Sequence, residues 1–333
     1  MSNKNTISRE QWNDVIKRFP EANFLQSPSY GKMNEILGEK VIIEDFGGNG
    51  HALMIVRNAK RGRYLEIPCG PLINWKRIEL VKQVFQTIHE VAVMEKCVFV
   101  RIRPQLINSP NNSKLLAKLE LNKSPMHLAA EHTVIIKLSA SEEELLANMR
   151  RQTRYEVRRA DKLGIKVTSG NSEDLFKEFQ RVQAETAKRQ GFVPPNLKTL
   201  MAEKEAFGDN AKIYIAETAE GEKIAYGLII CDGLEGDYYE AASTELNRKL
   251  PGAYALLWRV MRDLKNEGYE RFNLWGIAPA GQPNHRYAGV TTFKTGFGGE
   301  TVEYVPAHDM VISRMGYLKD LVVEKARKRR RHL

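Results

Sequence analysis

VMEKCVFVRIRP, residues 93–104, returns in outline as KNEGYERFNLWGIAP, residues 265–279. In each, the charged end of a helix gives way to β-branched and aromatic residues, the composition of a strand. The helix before the first stretch carries Val81, Val84, Phe85 and Ile88 at helical spacing and runs to about Glu95. The helix before the second spans Pro251 to Glu267. Further upstream each copy has a strand, YLEIP or DYYEAAS, and before that a hairpin. The first hairpin pairs KVIIEDF with HALMIVRNAK across Gly47-Gly48-Asn49-Gly50, and the second pairs AKIYIAET with KIAYGLIICD across Glu220-Gly221. A hairpin followed by a strand-helix-strand unit, present twice in 333 residues, predicts two similar mixed α/β domains side by side. The cleft between them is the expected ligand site.

Working outward, a short helix is expected over Arg9 to Phe19, and Ser27-Pro28 starts another inside FLQSPSYGKMNEILG. Polar Ser109 to Ser113 reads as loop, and HTVIIKL closes the first half. The second half opens with helices over Ser141 to Leu163 and Ser172 to Gln190. Ser141 and Glu144 form a capping box, while Leu145, Leu146, Met149, Val157 and Leu163 supply core contacts.

Cys69, Cys97 and Cys231 are far apart and form no C-x-x-C pair, so neither a zinc site nor a disulfide framework is indicated. MSNKNTISREQWND lacks the apolar core of a signal peptide, and no run is long enough for a membrane span, which predicts a soluble, cytoplasmic protein. The net charge of +10 is concentrated in two places. Residues 148–166 and residues 319–333 each hold seven Lys or Arg against two acids, so together they carry the whole excess. Local positive charge calls for an anionic partner: nucleic acid, a phosphorylated substrate or an acidic membrane face. In the first segment Arg150, Arg154 and Arg158 recur every four residues, and Arg151, Arg159 and Lys162 widen the face around Tyr155. That stripe suits a phosphate backbone. The tail KARKRRRHL suits the same partner or an anionic membrane.

HRYAGVTTFKTGFGG, residues 285–299, sets Lys294 among four glycines and three aromatics. Glycine lets a ligand approach the main chain closely, so this lysine reads as a cation at the wall of a pocket. The alternative is a β-turn carrying a solvated lysine.

Taken together, MRRQTRYEVRRADKLGIKV, YYEAASTELNRKLPGAYALLWRVMRDLKNEGYERFNLWGI and GVTTFKTGFGG resemble the FemABX family of non-ribosomal peptidyltransferases, which build peptidoglycan interpeptide bridges. FLQSPSYGKMNEILG resembles that family's opening segment, and the likeness runs from residue 23 to residue 318. The resemblance implies two tandem GNAT-like domains, residues 1–140 completed by 315–333, and residues 141–314. No heptad run long enough for a coiled-coil arm is present, which matches the compact form.

The activity it implies moves an amino acid from aminoacyl-tRNA to the stem-peptide amine of a peptidoglycan precursor, either UDP-MurNAc-pentapeptide or lipid II. No cofactor is implied beyond aminoacyl-tRNA as co-substrate. A cytoplasmic monomer is expected, touching the inner membrane face peripherally through its basic tail. In the family pattern the lysine at the tRNA end of the site matches Lys294, with Gly289, Phe293, Gly296 and Phe297 around it. Lys32 matches the lysine placed near the precursor's phosphates. Tyr239 and Arg189 are further candidates for substrate contact, His285 for accepting a proton, and Asp237 and Glu240 for orienting the nucleophile.

Two other readings stay open on the sequence. An acetyl-coenzyme-A-dependent N-acyltransferase wants a glycine-rich loop opening a helix; RKLPGA, residues 248–253, is the nearest match, with one residue too many and a proline that deletes a donor. A non-catalytic RNA- or membrane-binding protein would use the basic helix and tail and leave Lys294 without a task.

Overall fold

The computed structural model describes residues 7–46, 48–59 and 62–331, with side chains as far as residue 325. Gly47 of the first hairpin's turn lies outside the described residues. The chain forms two compact units, Met1–Glu131 with Glu303–Leu333, and His132–Val302.

The sheet of the first unit runs in the order Lys40–Asp45, Gly50–Ala59, Gly62–Pro68, Cys97–Arg103, His308–Val311, Asn122–Lys123, with Leu72–Ile73 paired to Gly50–Ala59. The central pair, Gly62–Pro68 and Cys97–Arg103, is parallel, with Leu65 opposite Val100 and Pro68 opposite Arg103. A parallel pair needs a crossover, and helix Ile78–Met94 supplies it. That helix buries Val81, Val84, Phe85, Ile88 and Val91 against Met54, Leu65 and Ile102.

The second unit repeats the plan. Its order is Glu300–Glu303, His132–Lys137, Arg271–Gly276, Glu235–Ser243, Lys223–Asp232, Ala211–Glu217, Lys166–Gly170. Here Glu235–Ser243 and Arg271–Gly276 are the parallel pair and helix Gly252–Asn266 is the crossover. Leu256, Leu257, Val260, Met261 and Leu264 of that helix pack with Phe272, Leu274 and Ile229.

The structure departs from the sequence expectations in several places. His132–Lys137 does not close the first half; it pairs antiparallel with Arg271–Gly276, while His308–Val311 returns to pair with Cys97–Arg103. The units therefore divide at residues 131/132 and 302/303 rather than at 140/141 and 314/315. Pattern alone cannot say which sheet an alternating strand joins, because pairing partners are fixed by tertiary contact. Ser109 to Ser113 is no loop: Ser109 caps helix Pro110–Lys118, accepting a hydrogen bond from Asn112 N at 3.2 Å. The helix expected over Ser141 to Leu163 is two, Glu142–Asn148 and Arg151–Lys162, broken where Met149 and Arg150 turn extended. Leu163 lies outside the core, 44% exposed. Finally, helix Leu197–Phe207, capped by Asn196, stands in a segment for which the sequence predicts no element.

Candidate active site

In the second unit the two parallel strands stay paired for three residues, Glu235 to Asp237 against Arg271 to Asn273, and then part. Two irregularities drive them apart. Opposite Lys223–Asp232 the register shifts so that Leu228 faces Glu240 and Ile229 faces Tyr238, leaving Tyr239 as the extra residue of a bulge. On the other strand the pairing with His132–Lys137 shifts between Asn273 and Gly276, and Trp275 takes φ +61°, a conformation uncommon outside glycine. Hydrogen bonds hold it there. Trp275 N donates to Asn273 Oδ1 at 2.9 Å, and Thr133 Oγ1 donates to the Trp275 carbonyl at 3.2 Å. Across the fork the rings of Tyr239 and Trp275 meet edge to face, 5.4 Å between centroids. A crevice beyond the carboxyl ends of parallel strands is where α/β sheets take ligands.

Lys294 reaches this fork. Lys294 itself is on neither a loop nor a turn: residues 288–295 form helix Ala288–Thr295, started by a turn in which Ala288 N bonds the His285 carbonyl at 2.8 Å. From the last turn of that helix Lys294 Nζ donates to the carbonyl of Gly276 at 2.9 Å and lies 5.7 Å from the centre of the Tyr238 ring. The residue is 8% exposed, and no carboxylate is paired with it among the described residues. Burial pulls its pKa from the ordinary lysine value down to about 7, because desolvation penalises the ammonium form. A neutral-range amine at a strand fork can stabilise an incoming anion as ammonium, or take up a proton as amine.

A second group of polar side chains centres on Glu240 of the same fork strand and was only partly legible in the sequence. Gln183 Nε2, from helix Glu173–Gln190, donates to Glu240 Oε2. Burial pushes Glu240 up to about 7, against the opposing pull of that hydrogen bond. Glu203, on the unforeseen helix Leu197–Phe207, is 2% exposed and raised well above the carboxylate range, by burial first and then by the charge of Glu240. Burial thus opposes ionisation of both carboxyls, and the charge on either one opposes it further in the other. Glu203 and Gln183 had no sequence signal, since the helices that bring them to the sheet are distant in the chain.

The other candidates separate. Arg189 ends helix Glu173–Gln190 and is tied to the mouth of the fork: it donates to the Ser243 carbonyl and pairs with Glu245 at 3.0 Å. Phe293 packs into an aromatic cluster with Tyr254 and Phe297, centroids 5.0 and 5.3 Å away, so it supports the helix from the core side. His285 is engaged locally, its Nδ1 accepting from Tyr287 N at 3.1 Å. Lys32 belongs to the first unit, exposed on helix Pro28–Ile36. Asp237 is fully buried at the last paired position.

Gly296 does not open space for a ligand. A Cβ there would stand 2.3 Å from Thr153 Oγ1 and 3.0 Å from the Phe293 carbonyl, so the helix Arg151–Lys162 is what approaches. Arg150 N also donates to the Gly296 carbonyl at 2.8 Å. Gly298 follows at φ +86°, its missing Cβ 2.9 Å from the Asn148 carbonyl. Gly296→Ala is expected to cost about 1–3 kcal/mol through this overlap. Thr153→Ala removes the clashing oxygen, which has no hydrogen-bond partner among the described residues, so the double variant should recover most of the loss in denaturant melts.

The arginine stripe is also divided. Arg154 turns back on the preceding helix: its Nη1 donates to the carbonyls of Ala147 at 2.7 Å and Met149 at 2.5 Å, satisfying a helix end that would otherwise be bare. Arg154 is therefore withdrawn from the phosphate-facing set. Arg150, which precedes the helix, and Arg158 are exposed, as are Arg151 and Lys162, and Tyr155 stands among them 58% exposed. Beyond Lys325 the basic tail is outside the residues whose side chains are described.

At the helix nearest to a coenzyme A cradle, one backbone donor is already taken. Gly252–Asn266 begins after Pro251, and its Ala253 N donates to Asn247 Oδ1 at 3.0 Å, so its open end faces its own chain.

Among solved structures, FemX superposes with a TM-score of 0.83 at 15% identity, covering 96% of this chain and 98% of that one. A tandem GNAT protein from the clavulanic acid biosynthesis pathway superposes at 0.56 with 10% identity, covering 91% of this chain and 94% of that one. At such identities the likeness is one of fold, and the fold is two GNAT-like halves in tandem. In sequence, the aminoacyltransferase FemA of Staphylococcus aureus is 27% identical over 106 residues, 32% of this chain and 25% of that protein. The match thus spans a quarter of that relative's length. The FemAB family model matches residues 7–222 and 218–325, nearly the whole chain, and the protein belongs to the FemAB family.

Proposed function

We propose that the protein is an aminoacyltransferase that moves an amino acid from aminoacyl-tRNA to the stem-peptide amine of a peptidoglycan precursor. The observation that carries this reading is Lys294, an amine buried at the strand fork, bonded to the Gly276 carbonyl and poised near neutrality. An aminoacyl ester is already activated. A neutral amine attacks its carbonyl carbon, the oxygen gains negative charge, and the C–O bond to the tRNA ribose then breaks. The amine's proton leaves with the ribose hydroxyl. Such a step needs positioning and one preorganised positive group near the developing oxyanion rather than a strong base. Lys294 offers that group, because an anion in the fork restores the charge that burial withholds.

Membership in the FemAB family and the FemX-like fold support the same assignment. The acetyl-coenzyme A alternative loses support because Pro251 offers no N–H and Ala253 N is already bonded to Asn247 at the start of helix Gly252–Asn266. Incubating the purified protein with labelled aminoacyl-tRNA and either UDP-MurNAc-pentapeptide or lipid II should place label in the stem peptide. Label arriving from acetyl-coenzyme A instead, or from neither donor, would overturn the reading.

The exposed residues of the arginine helix are assigned to tRNA phosphates. Arg158→Glu should weaken tRNA binding and lower the slope of log affinity against log salt by about 0.7–0.9 for each phosphate no longer neutralised. Arg154→Ala serves as the contrast: it uncaps a helix and should lower stability while leaving the slope in place. Equal slopes in Arg158→Glu and the parent would remove this face from tRNA recognition.

A further inference from the structure

The C-terminal helix Arg314–Arg331 has two unlike faces. Its inner face is anchored: Tyr317 and Asp320 are buried, and Glu324 accepts two hydrogen bonds from the buried Arg101 at 3.0 and 2.8 Å. On the opposite side Met315, Leu318 and Val322 are 79%, 57% and 66% exposed. Spaced three and four apart, they form one stripe. Arg314, Lys319 and Lys325 border it, all exposed and with no ion pair among the described residues. Beside the stripe a groove of about 770 Å³ is lined by Leu119, Met310, Leu318 and Leu321 together with Lys123 and Lys325.

An apolar stripe edged by cations is the pattern of a helix lying in a membrane interface, where apolar side chains enter the acyl boundary and lysines meet the headgroups. We propose that this face docks the protein on an anionic phospholipid surface, with the basic sequence of residues 325–333 adding attraction. Two other occupants fit less well. A second copy would bring two strongly cationic tails together. A nucleic acid would satisfy the lysines but leave the apolar centre against a polyanion.

The test uses the full chain and vesicles, without substrate, so its failure leaves the transfer reading standing. Vesicles of equal parts phosphatidylglycerol and phosphatidylcholine should sediment the protein, and pure phosphatidylcholine should not. Leu318→Glu/Val322→Glu should reduce partition at least about tenfold, since each replaced side chain loses its place in the acyl boundary. Both positions point outward, so an unchanged melting curve is expected and would show that the variant is folded. The proposal is overturned by no binding to anionic vesicles or by equal binding to both compositions. It is also overturned by undiminished binding of the double variant, which would leave the tail charge alone responsible. A concentration-dependent dimer that the double variant abolishes would assign the face to self-association instead.

Discussion

Lys294→Met is expected to lower aminoacyl transfer by about 10²–10³-fold, the scale of losing one preorganised oxyanion partner, while making the protein more stable at pH 7. Both effects come from the same burial. The folded pKa, about 7, lies below the ordinary lysine value, so between them the unfolded chain binds more protons than the folded one. Stability contributed by this group therefore rises with pH over that interval, and the penalty for burying the amine is full below pH about 7. Each pKa unit corresponds to about 1.4 kcal/mol. After discounting the lost hydrogen bond to the Gly276 carbonyl, a gain of about 2–4 kcal/mol is expected for the variant near neutrality. Near pH 10 the gain should almost vanish. Denaturant melts of parent and variant at the two pH values measure this directly. A variant that is less stable than the parent at pH 7 would mean that Lys294 is a structural tie, and unchanged turnover would remove it from the mechanism.

Asp309→Ala should destabilise the first unit by about 3–5 kcal/mol, because it leaves the buried Arg101 with Glu324 as its one remaining carboxylate among the described residues. Asp309 is fully buried and receives both Arg101 Nε and Nη2, at 2.8 and 2.9 Å, as well as the Tyr317 hydroxyl at 3.1 Å. It sits on His308–Val311, the strand by which the chain returns to the first sheet after passing through the second unit. Losing it should therefore loosen the C-terminal helix as well as lower the denaturant midpoint. Limited proteolysis should then cut within residues 303–331 before the rest of the unit. Arg101→Met/Asp309→Leu, which removes both charges, should be milder than Asp309→Ala. A loss below about 1 kcal/mol for Asp309→Ala would mean that Glu324 alone satisfies Arg101.

The sequence reached local features through local rules. Periodicity and turn chemistry located both hairpins, the crossover helices and the Ser27-Pro28 helix start, all of which depend on contacts within a few residues. It missed Pro110–Lys118 because a polar run preceded by serine can be a loop or a capped helix, and the packing of the buried Leu116 decides. It also gave Arg154 to the solvent face. Spacing alone counts that residue with Arg150 and Arg158, but a break at Met149 and Arg150 bares the carbonyls that Arg154 then caps.

By itself, then, the sequence determined the doubled hairpin and strand-helix-strand plan and the family resemblance, and it singled out Lys294 as a candidate. Only the tertiary structure decided that Lys294 stands on a helix, that two irregularities open the fork it enters, that Gln183 bonds Glu240, and that Glu203 is buried within reach of the Glu240 charge. The reason is range. Helix and turn preferences are written in neighbouring residues, whereas burial, and with it the shifted ionisation of Lys294 and Glu240, depends on which distant segments close over a side chain.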